Sequence, residues 1–143
     1  MRARGDCGGG AESADVTRRE CTPCARSVGR ARDDVVVPHE LDTTSPLDLT
    51  PLDEAAVVSG APATGHRALT TVGGVEVGIW EMTPGTATDV EADEVFVVLS
   101  GSATVDFSDG TSLELGPGST VRLHAGEETR WTVRETLRKV YLT

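Results

Sequence analysis

The sequence predicts an all-β domain, a jelly roll built from two antiparallel sheets, and three observations carry that prediction. From His66 to the end, short runs rich in Val, Thr and aromatic residues recur with turn signals every several residues. Proline interrupts the stretch before them too often for a long helix. The third observation is one apolar run headed by an acid, Glu94-Val95-Phe96-Val97-Val98-Leu99. Strand parity puts Glu94, Phe96 and Val98 on one face and Val95, Val97 and Leu99 on the other. Both faces call for burial, which suits a barrel wall that is also covered from outside.

Residues 1–33 combine Gly8-Gly9-Gly10 with scattered arginines and almost no apolar periodicity, so they are expected to be a disordered tail. The abrupt change of composition at Asp33-Asp34 would also follow if the true start lay downstream of Met1. Residues 34–65 hold short apolar pieces separated by Pro38, Pro46, Pro51 and Pro62. They predict an extended arm with a short helical turn near Leu52 to Val57. Val35, Val37, Leu41, Leu47, Leu49 and Leu52 of that arm are the expected outer cover of the central strand. Residues 66–143 form the domain proper, with strands expected at 66–72, 76–82, 95–100, 103–108, 112–115, 120–124, 129–133 and 137–142. Asp109-Gly110 between Phe107 and Leu113 predicts a hairpin, and Gly116-Pro117-Gly118 ends the next strand. No repeat occurs, so one domain is expected.

Charge narrows the partners. Residues 1–33 hold 7 basic and 5 acidic residues, whereas the other 110 hold 6 and 18, a net −12 on the domain. Such a surface repels phosphate backbones and anionic lipid, so neither nucleic acid nor membrane is an expected partner. No apolar window approaches a membrane span or the core of a signal peptide. Cys7, Cys21 and Cys24 all precede the domain, so its strands need no disulfide. A cytoplasmic location follows. Cys21-Thr22-Pro23-Cys24 has the spacing of half a zinc site, but the tail offers too few further ligands.

The blocks Gly78-Ile79-Trp80-Glu81-Met82-Thr83-Pro84-Gly85, Asp93-Glu94 with Gly101, Gly116-Pro117-Gly118, Trp131 and Arg138-Lys139-Val140-Tyr141 occur in an order and spacing that resemble one cupin subfamily. That subfamily includes ureidoglycine aminohydrolase-type and ethanolamine-utilisation-type domains, and the resemblance runs from about Val72 to the C-terminus. It implies a single cupin jelly roll (the RmlC-like barrel). It also implies, in metal-binding members, a site of three histidines and one glutamate. Here Glu94 falls on the glutamate position. The paired histidine positions fall on Thr88 and Val90, or on Ala87 and Asp89 with a spacer one longer, and the last falls on Thr129. All are vacant, and Asp89, Glu91 and Asp93 ahead of the strand read as a solvated acidic edge rather than as oxygen ligands for a hard cation, so no metal and no other cofactor is expected. His39, His66 and His124 read as surface or turn residues, and no nucleophile or phosphate-loop pattern is present.

What remains is a pocket. The family register turns Thr129, Trp131 and Val133 inward, so Glu94, Phe96, Thr129 and Trp131 are expected to share the lumen, with Glu81 and Tyr141 as further candidates for its wall. Trp80 is expected on the outer, arm-facing side. With no cation foreseen beside Glu94, the expected ligand is a small, donor-rich, neutral-to-cationic molecule. The alternative is a metal-dependent enzyme acting on a small ureido or amino compound, with Glu94 as ligand or general base. A central strand apolar on both faces, under an incomplete arm, also predicts a homodimer.

Overall fold

The structure is a computed structural model and describes residues 39–143. The expected tail, its three cysteines, Val35 and Val37 lie outside the described residues. Nine strands and no helix make up the described part: β1 Thr50–Pro51, β2 Val57–Gly60, β3 Ala63–Val72, β4 Val75–Met82, β5 Gly85–Val90, β6 Glu94–Phe107, β7 Ser112–Leu115, β8 Thr120–Leu123 and β9 Glu128–Leu142. All pairings are antiparallel, and the sheet curls into the jelly roll that the turn spacing predicts.

Two long strands organise it. The first half of β9 pairs with β5 and with the end of β6, while its second half pairs with β4 and with the start of β6. The sequence suggests two strands in each of these spans, but each is one strand that changes register. The β6–β9 ladder shifts between Val98 and Ala103. Gly101 sits in that shift with a φ of 92°, and a Cβ there would collide with the Thr136 carbonyl oxygen. Only glycine lets the two backbones come so close while the strand bends.

Alternation then sorts the side chains. Phe96, Val98, Ala103 and Val105 of β6 face Trp131, Val133, Leu137 and Tyr141 of β9, with Met82, Ala87, Leu115 and Leu123 completing the core. Gly78 is needed beneath Tyr141, whose ring occupies the space a Cβ would take.

The stretch before β3 departs from expectation. The single turn expected near Leu52 to Val57 is present, with the N–H groups of Ala56 and Val57 both donating to the Asp53 carbonyl, but it leads into an unforeseen strand, β2, which pairs with β5. Pro51 and Pro62 limit the strands rather than excluding them, because β1 and β2 each pair on one side only. Ahead of them, residues 41–47 alternate between half-buried and exposed as they cross the outside of β4 and β9. Asp42 shapes this arm. Its carboxylate accepts hydrogen bonds from the hydroxyl of Ser45 and the backbone N–H and hydroxyl of Thr44, which hold it well below the usual carboxylate range.

Candidate functional site

One face of β9 and the facing strands enclose a cavity of about 200 Å³, lined among others by Trp80, Met82, Asp89, Glu91, Glu94, Trp131 and Lys139. Leu52 and Ala56, in and beside the turn before β2, border it too. The centre of its chemistry is Lys139. Its side chain is 5% exposed, and its Nζ lies 2.5 Å from Glu94 Oε1. Three rings surround the ammonium, with centroids at 4.8 Å for Trp80, 4.3 Å for Phe96 and 5.1 Å for Trp131. Each presents a π-system that attracts a cation. The rings also pack on one another, Trp80 to Trp131 at 5.8 Å and Phe96 to Trp131 at 5.7 Å, both tilted.

A second acid fixes the box. Glu91 Oε1 accepts from Trp131 Nε1 at 2.8 Å and from the Thr129 hydroxyl at 2.5 Å. Trp131 is thereby held in one orientation, and Thr129 is buried behind it.

Of the residues singled out from sequence, Glu94 and Trp131 line the cavity. Phe96 is fully buried behind Trp131 and touches the ammonium. Tyr141 lies further along the same face of β9, where its hydroxyl donates to Glu76 Oε1 at 2.8 Å. Glu81 is a correction. It occupies the outer face of β4, where its Oε2 accepts from Arg138 at 2.6 Å. Trp80 and Glu81 are adjacent on one strand and cannot share a face, so Trp80, expected outside, is the one that faces the lumen.

Three contributors escaped the sequence reading: Lys139, Trp80 and Glu91. Lys139 was within reach of parity, being eight residues from Trp131 and two from Tyr141 on the strand that carries both. Its presence also removes the premise of an uncompensated Glu94, and with it the argument for a cationic ligand. Glu91 sits among Asp89 and Asp93 and reads as a solvated edge. Asp93 does pair outward, with Arg122, but Glu91 turns in to Trp131.

The metal set implied by the cupin resemblance does not fit these residues. Thr88 and Val90 are exposed on β5, Thr129 is bonded to Glu91, and His39, His66 and His124 are all exposed. Among the described residues no group of three or more His, Cys, Asp or Glu is arranged to hold a metal ion. Glu94 already faces an ammonium.

Comparison with known proteins gives a consistent picture. The family model described as the EutQ-like cupin domain matches residues 69–141. The chain is similar to a structure of unknown function from Pseudomonas syringae pv. tomato, at 25% identity and a TM-score of 0.62, over 71% of this chain and 46% of that one. The match thus takes in under half of the Pseudomonas protein. The EutQ protein of Clostridium difficile is similar in fold, at 19% identity and a TM-score of 0.51, over 64% of this chain and 77% of that one. No curated protein matches the chain. Among the described residues no helix is long and apolar enough to cross a membrane.

Proposed function

The chain belongs to the EutQ-like cupin domain family, and from that premise we propose that it is a small-molecule-binding barrel whose ligand sits against Lys139. The observation that carries this reading is the incomplete use of the ammonium. A lysine has three N–H donors, and Glu94 is the one hydrogen-bonded partner of Nζ among the described residues. Nζ borders the cavity, so a ligand's acceptor oxygen would complete it. Trp80 and Trp131 supply flat apolar walls, while Glu91 and Asp89 offer acceptors for donors at the ligand's other end. The cavity of about 200 Å³ falls below the ~300 to 1,000 Å³ typical of sites for drug-sized ligands. Its occupant is therefore a small polar metabolite, neutral overall, with an acceptor oxygen at one end and amide-like donors at the other. Ureido and amino compounds remain within that class, bound without a metal.

A thermal-shift screen of small neutral amides and carbonyl compounds against di- and polyanions tests this. Stabilisation by the neutral set, abolished in Lys139→Met, is expected; equal shifts in both proteins, or preference for polyanions, would overturn it. A cytoplasmic location is part of the proposal, supported by strands that carry no cysteine. The proposal also includes a homodimer, supported by the partly exposed outer stripe Val95, Val97, Leu99, Val140 and Leu142. Light scattering that finds only monomer at tens of micromolar would remove the dimer.

A further inference from the structure

Lys139 is the only lysine in the chain; every other basic residue is an arginine. The sequence thus uses arginine wherever it pairs charges at the surface, and at Arg138 next door as well, yet keeps one primary amine inside the barrel. For ion pairing alone arginine is the stronger choice, with a fixed fork of donors and a charge that does not leave. What lysine adds is an amine that can give up its proton and attack carbon.

We propose that Lys139 condenses with a small, neutral aldehyde or ketone in the lumen to form a protonated imine. This rests on the lumen being a ligand site, and adds the class of ligand and the bond it makes. Glu94, at 2.5 Å, takes a proton from the ammonium and frees its lone pair. Nζ adds to the carbonyl carbon, and a proton moves from nitrogen to the new alkoxide to give a carbinolamine. Glu94 returns its proton to that hydroxyl. Water leaves as the C–O bond breaks, and the nitrogen lone pair forms the C=N bond. One ammonium and one carbonyl become one iminium and one water, with no change of net charge.

The surroundings suit the product as well as the reactant. An iminium is a cation at nearly the same place, so the rings of Trp80, Phe96 and Trp131 and the carboxylate of Glu94 face a positive charge before and after. The rings also keep bulk water from the C=N bond. Asp89 and Glu91 at the cavity disfavour carbonyl compounds that carry a carboxylate or phosphate.

The sole lysine makes the test clean, since Lys139 and the α-amine are the only amines. The full chain is incubated at neutral pH with propionaldehyde and cyanoborohydride, then read by intact mass and peptide mapping. The expected result is alkylation at Lys139, slowed about a hundredfold in Glu94→Gln and absent at that position in Lys139→Arg, with α-amine labelling unchanged throughout. Labelling of the α-amine alone in native protein, when urea-unfolded chain is labelled at both, would overturn the inference. So would Lys139 labelling that is equal in native and unfolded chain and independent of Glu94. If trapping fails while neutral amides still stabilise the protein in a Lys139-dependent way, the imine is wrong and the binding site stands. Failure of both removes both.

Discussion

Arg138 and Lys139 are neighbours on β9, and because side chains alternate along a strand they carry their charges to opposite faces of the wall. Each meets a glutamate: Arg138 meets Glu81 of β4 outside, and Lys139 meets Glu94 of β6 inside. The difference lies in how the remaining donors are used. Arg138 also donates from Nε to the Thr43 carbonyl at 2.8 Å and from Nη2 to the Ser45 carbonyl at 2.5 Å, so the arm closes over it. Lys139 has rings and a cavity where Arg138 has backbone. One pair joins two parts of the chain; the other leaves an ammonium with donors to spare, and that contrast is why the site is placed at Lys139.

The largest effect should come from breaking the closed pair. Arg138→Met leaves Glu81 without a partner and two arm carbonyls without donors, and removing one member of such a pair costs about 3–5 kcal/mol. Urea unfolding is expected to show that loss, with early proteolysis between residues 39 and 49. A cost below about 1 kcal/mol would mean that the arm does not depend on Arg138, and the contrast would fail.

The open pair should cost less to break. Lys139→Met strands Glu94, but that side chain, unlike Glu81, borders the cavity, where it can regain water. A loss of about 2 kcal/mol is expected, within the range for an unsatisfied buried group. The double variant Lys139→Met with Glu94→Leu should recover most of it, since a buried pair exchanged for apolar groups is often neutral. If the double variant is as unstable as the single, the pair is structural in the way that Arg138–Glu81 is.

This contrast was only half legible in the sequence. Alternation around Glu94, Phe96 and Trp131 located the lumen because an acid and two aromatic markers lie on stretches of β6 and β9 that keep their parity up to the register shift after Val98. It failed at Trp80 and Glu81, where two plausible lumen residues are adjacent and nothing local says which face is inner. That choice is made by Arg138, whose position depends on a pairing 57 residues apart. The strands β1, β2 and β5 were missed for a related reason: they are short, lie near prolines, and owe their strand form to distant partners, β1 to β3, β5 to β9, and β2 to β5 in turn. Lys139 was hidden by its type, since a lysine between two strand residues reads as solvent-facing until the burial of Leu137 and Tyr141 on either side is known.

The smallest effect sharpens the contrast from within the lumen face itself. Tyr141 points the same way as Lys139, two residues along β9, yet its one hydroxyl proton is fully used by Glu76. A lumen-facing polar group can therefore be closed, and openness belongs to Lys139 rather than to the face. Burial, and after it the bond to Glu76, pushes the Tyr141 phenol up from 10.0 to about 12. A group whose folded value is raised contributes stability that is fully present below its unfolded value and lost as pH rises through the folded one. The loss therefore falls between about pH 10 and 12. Tyr141→Phe should cost about 1 kcal/mol at neutral pH, the worth of one hydrogen bond plus a stranded Glu76 that can reach water. It should also flatten the alkaline limb of a stability-against-pH curve while leaving the response to lumen ligands unchanged. A variant that keeps the alkaline slope would show that Tyr141 does not carry it. One that loses ligand response would extend the open site along β9 to Tyr141.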